Sequence, residues 1–224
     1  YYFPYVESSQ VTSTADCSIQ RHTERETFAG LLDEYRVGIS LIFYMENSME
    51  YRLRLKNSQP VLPKSASLSA LSIHGKILLP VQKTPQQTED RKKAASKRSR
   101  LIEAAKRGDE EAIETLTVED IDLFSSVSRR VAREDIYSIV DTCFMPSGIE
   151  CDQYSVIGNI LSVDRRINRI TGEEIFLLGL ECNDLLFTAA INAADLLGEP
   201  VPGRRFKGQV WIQGNVCFEA VFKR

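Results

Sequence analysis

Several features that would assign the chain to a well-defined class of protein are missing from the sequence. It has five cysteines, an odd number, with no CxxC pair and no Cys/His cluster at the spacing of a zinc site. Its longest nearly continuous apolar run, 38–45, is well short of the ~20 residues that a membrane-spanning helix needs. The 28 basic and 31 acidic residues leave a net charge of −3, so no global charge points to nucleic acid or a membrane. These absences exclude a disulfide scaffold, argue against a membrane partner, and predict neither a metal site nor a cofactor.

Short catalytic signatures are also missing. The sequence contains no GxSxG, HExxH, GxxxxGK[ST] or GxGxxG, and its two histidines, His22 and His74, lie in no recognisable motif. Glu150, Cys151 and Asp152 place two carboxylates beside a thiol, the setting of a cysteine-dependent hydrolase or transferase if a histidine lies near in space. Carboxylates at the start of a strand are more often surface caps. The sequence therefore favours a protein that is not an enzyme and leaves cysteine catalysis as an alternative.

What is present is the composition of a globular chain. Hydrophobic residues make up 43% and charged residues 26% of the 224 residues, close to the average for soluble domains, which excludes disorder throughout. The cysteines have no close pairs, which favours free thiols in a reducing cytoplasm. The chain opens Tyr1-Tyr2-Phe3-Pro4 without an initiator methionine, so we expect further residues before Tyr1.

Residues 1–83 form an N-terminal β region by pattern, because apolar residues alternate along them as in half-buried strands. The alternation is clearest over 37–43, and over 51–55 it is between apolar residues and arginine or lysine. In the run 71–81, five apolar residues share one face, with His74 and Lys76 on the other. The charged stretch 19–28 is typical of an edge strand.

Residues 84–146 form a central helical segment. Gly108-Asp109 ends one predicted helix and begins another, and Thr117-Val118-Glu119-Asp120 resembles a capping box. A basic block, 91–107, is followed by an acidic block, 109–122. Two antiparallel helices with these charges would neutralise each other, whereas an unpaired basic helix would suit a polyanion. The sequence leaves both interpretations open.

Residues 147–224 return to strand-like patterns broken by turns at 168–172 and 198–203. We therefore predict an α+β fold made of an N-terminal β region (1–83), a central helical segment (84–146) and a small C-terminal β barrel or curved antiparallel sheet (147–224). Whether the two β regions form one domain is left open.

The strand predicted over 204–213 carries the candidate binding residues. Its apolar side chains face one side, and on the other side two cations, two amides and an indole would neutralise phosphate and stack a base. The candidate nucleic-acid contacts are Arg204, Arg205, Lys207, Gln209, Trp211 and Gln213. The alternative is an ordinary solvent-facing side on which Trp211 covers a neighbouring loop.

A longer resemblance covers most of the chain. The matching segments are YFPY (2–5), 37–44, SIVDT (138–142), FMP (144–146), ECDQY (150–154), TGEE (171–174), ECND (181–184) and GRRFKG (203–208). They are similar to an uncharacterised clostridial (Firmicutes) family described as a domain of unknown function. The resemblance implies a bacterial cytoplasmic protein and no catalytic or binding residue.

The function predicted from these observations is that of a non-enzymatic binding or scaffold protein. Its partner would be another protein or a second copy of itself. The alternative is binding of single-stranded RNA or DNA through the basic and aromatic side of the strand 204–213.

Overall fold

A computed structural model describes residues 3–8, 10–22, 27–34, 36–81, 85–148 and 151–219. The strands in these ranges are β1 (Cys17–His22), β2 (Thr27–Glu34), β3 (Ile39–Met45), β4 (Pro63–Leu78), β5 (Cys143–Pro146), β6 (Gln153–Ile167), β7 (Glu174–Cys182), β8 (Leu185–Asn192), β9 (Leu196–Leu197) and β10 (Arg205–Phe218). The helices are α1 (Ser48–Lys56), α2 (Pro85–Lys106), α3 (Glu110–Val131) and α4 (Ile136–Ile139), and Ala193–Asp195 form one 3-10 turn. The chain divides into a sheet unit, Tyr1–Leu79 with Thr142–Arg224, and a helical unit, Pro80–Asp141. The α+β class predicted from the sequence is thus confirmed.

All the strands of the sheet unit belong to one mixed sheet. Its order is β1-β2-β3-β10-β4-β8-β7-β6-β5, with β9 beside β4. Strand β10 also pairs with β6, so β10, β4, β8, β7 and β6 form a closed ring of pairings. Strand β4 runs parallel to β8 and β9, and β10 parallel to β3.

The core follows from the alternation of side chains along these strands. In β10 the inward positions are buried and apolar, namely Phe206, Val210, Ile212, Val216 and Phe218. Leu41, Phe43 and Met45 of β3 are also buried, which confirms the strand predicted over 37–43. Burial of this kind stabilises a fold by roughly 25 cal/mol per Å² of apolar surface.

The two β regions seen in the sequence are one structure. Strand β4, from the N-terminal region, pairs with β10 and β8 from the C-terminal region. The C-terminal strands pair with one another in antiparallel orientation, β6 with β7 and β10 and β7 with β8, in agreement with the curved antiparallel sheet predicted for 147–224. They do not close a ring by themselves, as the alternative of a small barrel would require. The reason is that β4 stands between β8 and β10, and pairing between such distant segments leaves no mark in local periodicity.

Two local predictions in the N-terminal region are wrong. Residues 51–55, whose alternation of apolar and basic side chains predicts a strand, lie in helix α1 instead. On β4, Ile73 is 74% exposed instead of buried. The register jumps there, from Gln209 opposite His74 to Val210 opposite Ser72. Ile73 is therefore the extra residue of a β-bulge, which redirects side chains on either side of it.

The helical unit contains the α2–α3 hairpin. Asp109 caps the start of α3 by accepting a hydrogen bond from the Ala112 amide at 3.1 Å, as the Gly108-Asp109 boundary predicts. The predicted capping box at 117–120 is wrong, since α3 runs through it without a break. Lys97 lies 2.6 Å from Glu119, and Arg98 lies 2.8 Å from Asp120. The basic and acidic helices therefore neutralise each other at these pairs.

A buried carboxylate ties three segments of the sheet unit together. Glu34, at the end of β2, is 1% exposed and accepts hydrogen bonds from Ser13 Oγ and from Nε and Nη2 of Arg36. Arg36 also donates to the main-chain oxygens of Thr12 and Asp184. Burial alone would raise the pKa of the Glu34 carboxyl, but the hydrogen bonds and charge of Arg36 outweigh it and hold the pKa below its ordinary value. We call this group the Glu34 clasp.

Candidate anion-binding site

The predicted binding side of β10 is not one open surface. Arg205 is 3% exposed and donates from Nε to the Leu79 oxygen at 2.9 Å. Gln213 is fully buried and donates from Nε2 to the Pro4 oxygen. Arg204 donates to the Glu199 oxygen at 3.0 Å. The prediction that these side chains face solvent together is therefore wrong for Arg205 and Gln213, because segments outside β10 cover both ends of the strand.

Trp211 belongs to a cluster of aromatic rings. Its ring centroid lies 5.4 Å from that of Phe3 and 5.5 Å from that of Tyr44, and Phe3 stacks on Tyr44 at 4.7 Å. The indole Nε1 donates to Asp152 Oδ2 at 2.7 Å. These contacts agree with the alternative interpretation, in which Trp211 covers a neighbouring segment of its own chain.

The middle of the predicted side remains open, and β4 adds to it. In the antiparallel register Lys207 lies directly opposite Lys76, and Gln209 lies directly opposite His74. Directly opposite residues project to the same face with Cβ atoms about 4.5–5.5 Å apart. On the other side of β10, Ser155 of β6 lies opposite Gln209. Three neighbouring strands thus bring two ammonium groups, an imidazole, an amide and a hydroxyl to one face.

These side chains line a cavity of about 460 Å³, a volume within the usual range for small-ligand pockets. Its lining residues are His74, Gly75, Lys76, Ser155, Leu197, Lys207, Gly208 and Gln209. Gly75 and Gly208 lie opposite each other, and the Phe206 ring packs against both from the inner face. A side chain at either glycine would meet that ring, so the floor of the cavity is bare backbone.

The electrostatics of the cavity favour an anion. Lys76 and Lys207 lie directly opposite each other on β4 and β10, and their side chains are half-buried. His74 lies two positions before Lys76 on β4. Two ammonium groups held on one wall of the cavity can donate charge-assisted hydrogen bonds to the same anion.

A second depression, of about 380 Å³, lies on α2 and is lined by Lys93, Ser96, Lys97, Arg100 and Leu101. Two of its cations already have carboxylate partners, since Lys93 lies 3.3 Å from Glu89 and Lys97 lies 2.6 Å from Glu119. The basic block is therefore engaged in ion pairs within the helical unit. Among the residues that the structure describes, no group of three or more His, Cys, Asp or Glu side chains is placed to hold a metal ion. No helix in the described ranges is both long and apolar enough to cross a membrane.

The thiols differ in their surroundings, and this bears on the cysteine alternative. Cys151 and Cys217 are exposed, whereas Cys182 is buried. Burial raises the pKa of the Cys17 thiol to about 11 and also raises the pKa of Cys143. Asp152, beside Cys151, is engaged by Trp211, and Glu150 lies outside the described residues.

We expect alkylation by iodoacetamide in mildly alkaline buffer to modify Cys151 and Cys217 first. Cys17, whose raised pKa leaves little thiolate, and the buried Cys182 should react only after unfolding. Peptide mass spectrometry over a time course measures the order. Fast labelling of Cys17 or Cys182 in the folded protein would contradict it.

Comparison with known protein families gives a match over most of the chain. The family model described as "Domain of unknown function, E. rectale Gene description (DUF3881)" matches residues 1–214. This confirms the resemblance to a clostridial family seen in the sequence. Neither the curated proteins nor the solved structures contain a match.

Proposed function

The chain belongs to this family of domains of unknown function, and from the cavity between β4 and β10 we propose that it is a non-enzymatic binding protein for a small phosphate-bearing ligand. The observation that carries the proposal is the directly opposed pair Lys76 and Lys207 on the cavity wall. A cytoplasmic location stays a prediction.

Phosphate suits this lining better than carboxylate does. A phosphate dianion offsets two positive charges at once, and lysine binds phosphate as a point charge without the fork geometry of arginine. His74, Gln209 and Ser155 add hydrogen-bonding groups around the two lysines. The volume of about 460 Å³ admits a compact ligand.

We expect inorganic pyrophosphate to bind the full chain at low ionic strength and to change the fluorescence of Trp211, the only tryptophan. Trp211 lies on the same side of β10 as Lys207 and Gln209, so its emission reports on the cavity. The variant Lys76→Gln/Lys207→Gln should bind at least tenfold more weakly, since two charge-assisted contacts are lost. Circular dichroism should show that the variant keeps the secondary structure of the parent.

The matched control is Lys64→Gln, which removes a lysine from the same strand at its exposed pair with Glu219. It should bind pyrophosphate like the parent. Absence of binding at low ionic strength, or equal binding by the double lysine variant, would overturn the proposal. A labelled single-stranded oligonucleotide forms a separate arm. Binding of the oligonucleotide but not of pyrophosphate would favour the nucleic-acid alternative instead.

A further inference from the structure

A row of large apolar side chains stands exposed along one side of α3. Ile113 is 48% exposed, Ile121 60%, Phe124 74% and Val131 42%. Their spacing places them within about one stripe of a helix with 3.6 residues per turn. Such a stripe normally packs against another element, because exposed contiguous apolar surface marks an interaction site.

Helix α2 packs on a different side of α3. Ala112 is the buried residue of α3, and the ion pairs to α2 come from Glu119 and Asp120. Successive residues turn by about 100° around a helix. Ile121 and Phe124 therefore point away from the side of α3 that carries Ala112 and Glu119. The hairpin contact therefore leaves the stripe available.

The charges on α3 are distributed unevenly along its length. Its first turns carry Glu110, Glu111 and Glu114, and its last turn carries Arg129 and Arg130, followed by Arg133. A parallel pair of such helices would bring like charges together. An antiparallel pair would set the acidic end of each helix beside the basic end of the other, which is the self-complementary pattern of a twofold interface.

We propose that the α3 stripe is the site of self-association, with α3 of a second copy packed on it in antiparallel orientation. The twofold axis passes near the middle of the helix, so that Ile121 of each copy lies near Phe124 of the other. Ile113 then lies near Val131 of the other copy. The two α2–α3 hairpins together make a four-helix arrangement of the kind that buries such stripes.

We expect the full chain to have the mass of a dimer in light scattering coupled to size exclusion, with dissociation on dilution. Phe124→Ser should raise the dissociation constant at least tenfold, because it removes the most exposed apolar side chain of the stripe. Ile167→Ser is the matched control, since Ile167 is 71% exposed and belongs to β6 rather than to α3. It should leave the dimer unchanged.

A charge exchange tests the orientation. The variants Glu111→Arg/Glu114→Arg and Arg129→Glu/Arg133→Glu should each dimerise weakly, because both ends of α3 then carry the same sign. Mixed in equal amounts, they should form a dimer again. A parent that is monomeric at every concentration, equal effects of Phe124→Ser and Ile167→Ser, or no recovery on mixing would overturn the proposal. Circular dichroism of each variant shows that its helices remain folded.

Discussion

Replacing Arg36 with alanine is expected to lower the free energy of unfolding of the sheet unit by about 3–5 kcal/mol, because it leaves a buried charge without its partner. Glu34 accepts from Nε and Nη2 of Arg36 at 2.8 and 2.6 Å. The same guanidinium holds the main-chain oxygens of Thr12 and Asp184. Urea denaturation followed by Trp211 fluorescence measures the loss, since Trp211 lies in the sheet unit.

An exposed ion pair provides the matched control. Arg166 lies 2.9 Å from Asp164, with its side chain 68% exposed. Pairs of this kind contribute at most about 1 kcal/mol, so Arg166→Ala should change stability little. If the two substitutions cost the same, burial of Glu34 does not set the strength of the clasp.

The clasp also predicts how the difference between parent and variant depends on pH. In the parent the pKa of Glu34 is below its ordinary value, so its stabilising contribution is complete above the unfolded-state pKa and is lost as pH falls through the folded-state pKa. In Arg36→Ala only the hydrogen bond from Ser13 opposes burial, which is the larger effect, so the pKa of Glu34 is raised. Protonation of Glu34 then removes the buried charge and makes the variant less unstable relative to the parent. The difference in free energy of unfolding between the parent and Arg36→Ala should therefore become smaller as the pH falls from about 7 to about 4. A gap that stays constant would contradict this account.

Phe206→Ala is expected to cost about 3–5 kcal/mol, the range for removing a fully buried phenyl ring. Phe206 has no exposed surface, and its ring packs beneath the cavity floor against Gly75 and Gly208. Neither glycine has a side chain to fill the space that the ring would leave. Urea denaturation measures the loss, and Phe3→Ala, which truncates a 48% exposed ring, should cost much less.

A second substitution tests whether the ring and the glycine act as a pair. Gly75→Ala alone would press a methyl group into the Phe206 ring, closest to Cε2, and bring it within 3.1 Å of Ile191 Cδ1, an overpacking that costs about 1–3 kcal/mol. In the Phe206→Ala background the ring is gone, so the same methyl group should be neutral or stabilising. Additive losses in the double variant would show that the two positions are independent.

Much of the local structure could be predicted from the sequence because it depends on residues that are close together in the chain. The alternation over 37–43 marks β3, and Gly108-Asp109 marks the boundary between α2 and α3. The strand predicted over 51–55 is wrong because an alternation of only five residues is compatible with a short helix as well as with a strand. In α1 no residue is fully buried. The helix is instead held by Tyr51, near its middle, whose ring packs against Phe28 and Phe218.

The candidate site was only half visible in the sequence. Lys207 and Gln209 could be found from the alternation along one strand. His74 and Lys76 could be assigned to a face of another strand, but their position beside Lys207 depends on the pairing of β4 with β10. Burial of Arg205 and Gln213 depends on contacts with Leu79 and Pro4. Local patterns contain no information about such distant neighbours.

The central position of β10 has a consequence for how the protein folds. Ser72 and Gln209, bonded across β4 and β10, are 137 positions apart in the chain. Closing so long a loop costs conformational entropy before strand pairing contributes any stabilisation. Such topologies therefore form slowly. The α2–α3 hairpin lies inside that loop and is joined by contacts between consecutive helices, such as the pair Lys97 and Glu119, so it can form early and shorten the loop. Helical signal should therefore appear in refolding well before Trp211 becomes protected, and the ring of strands should close as one late, cooperative step.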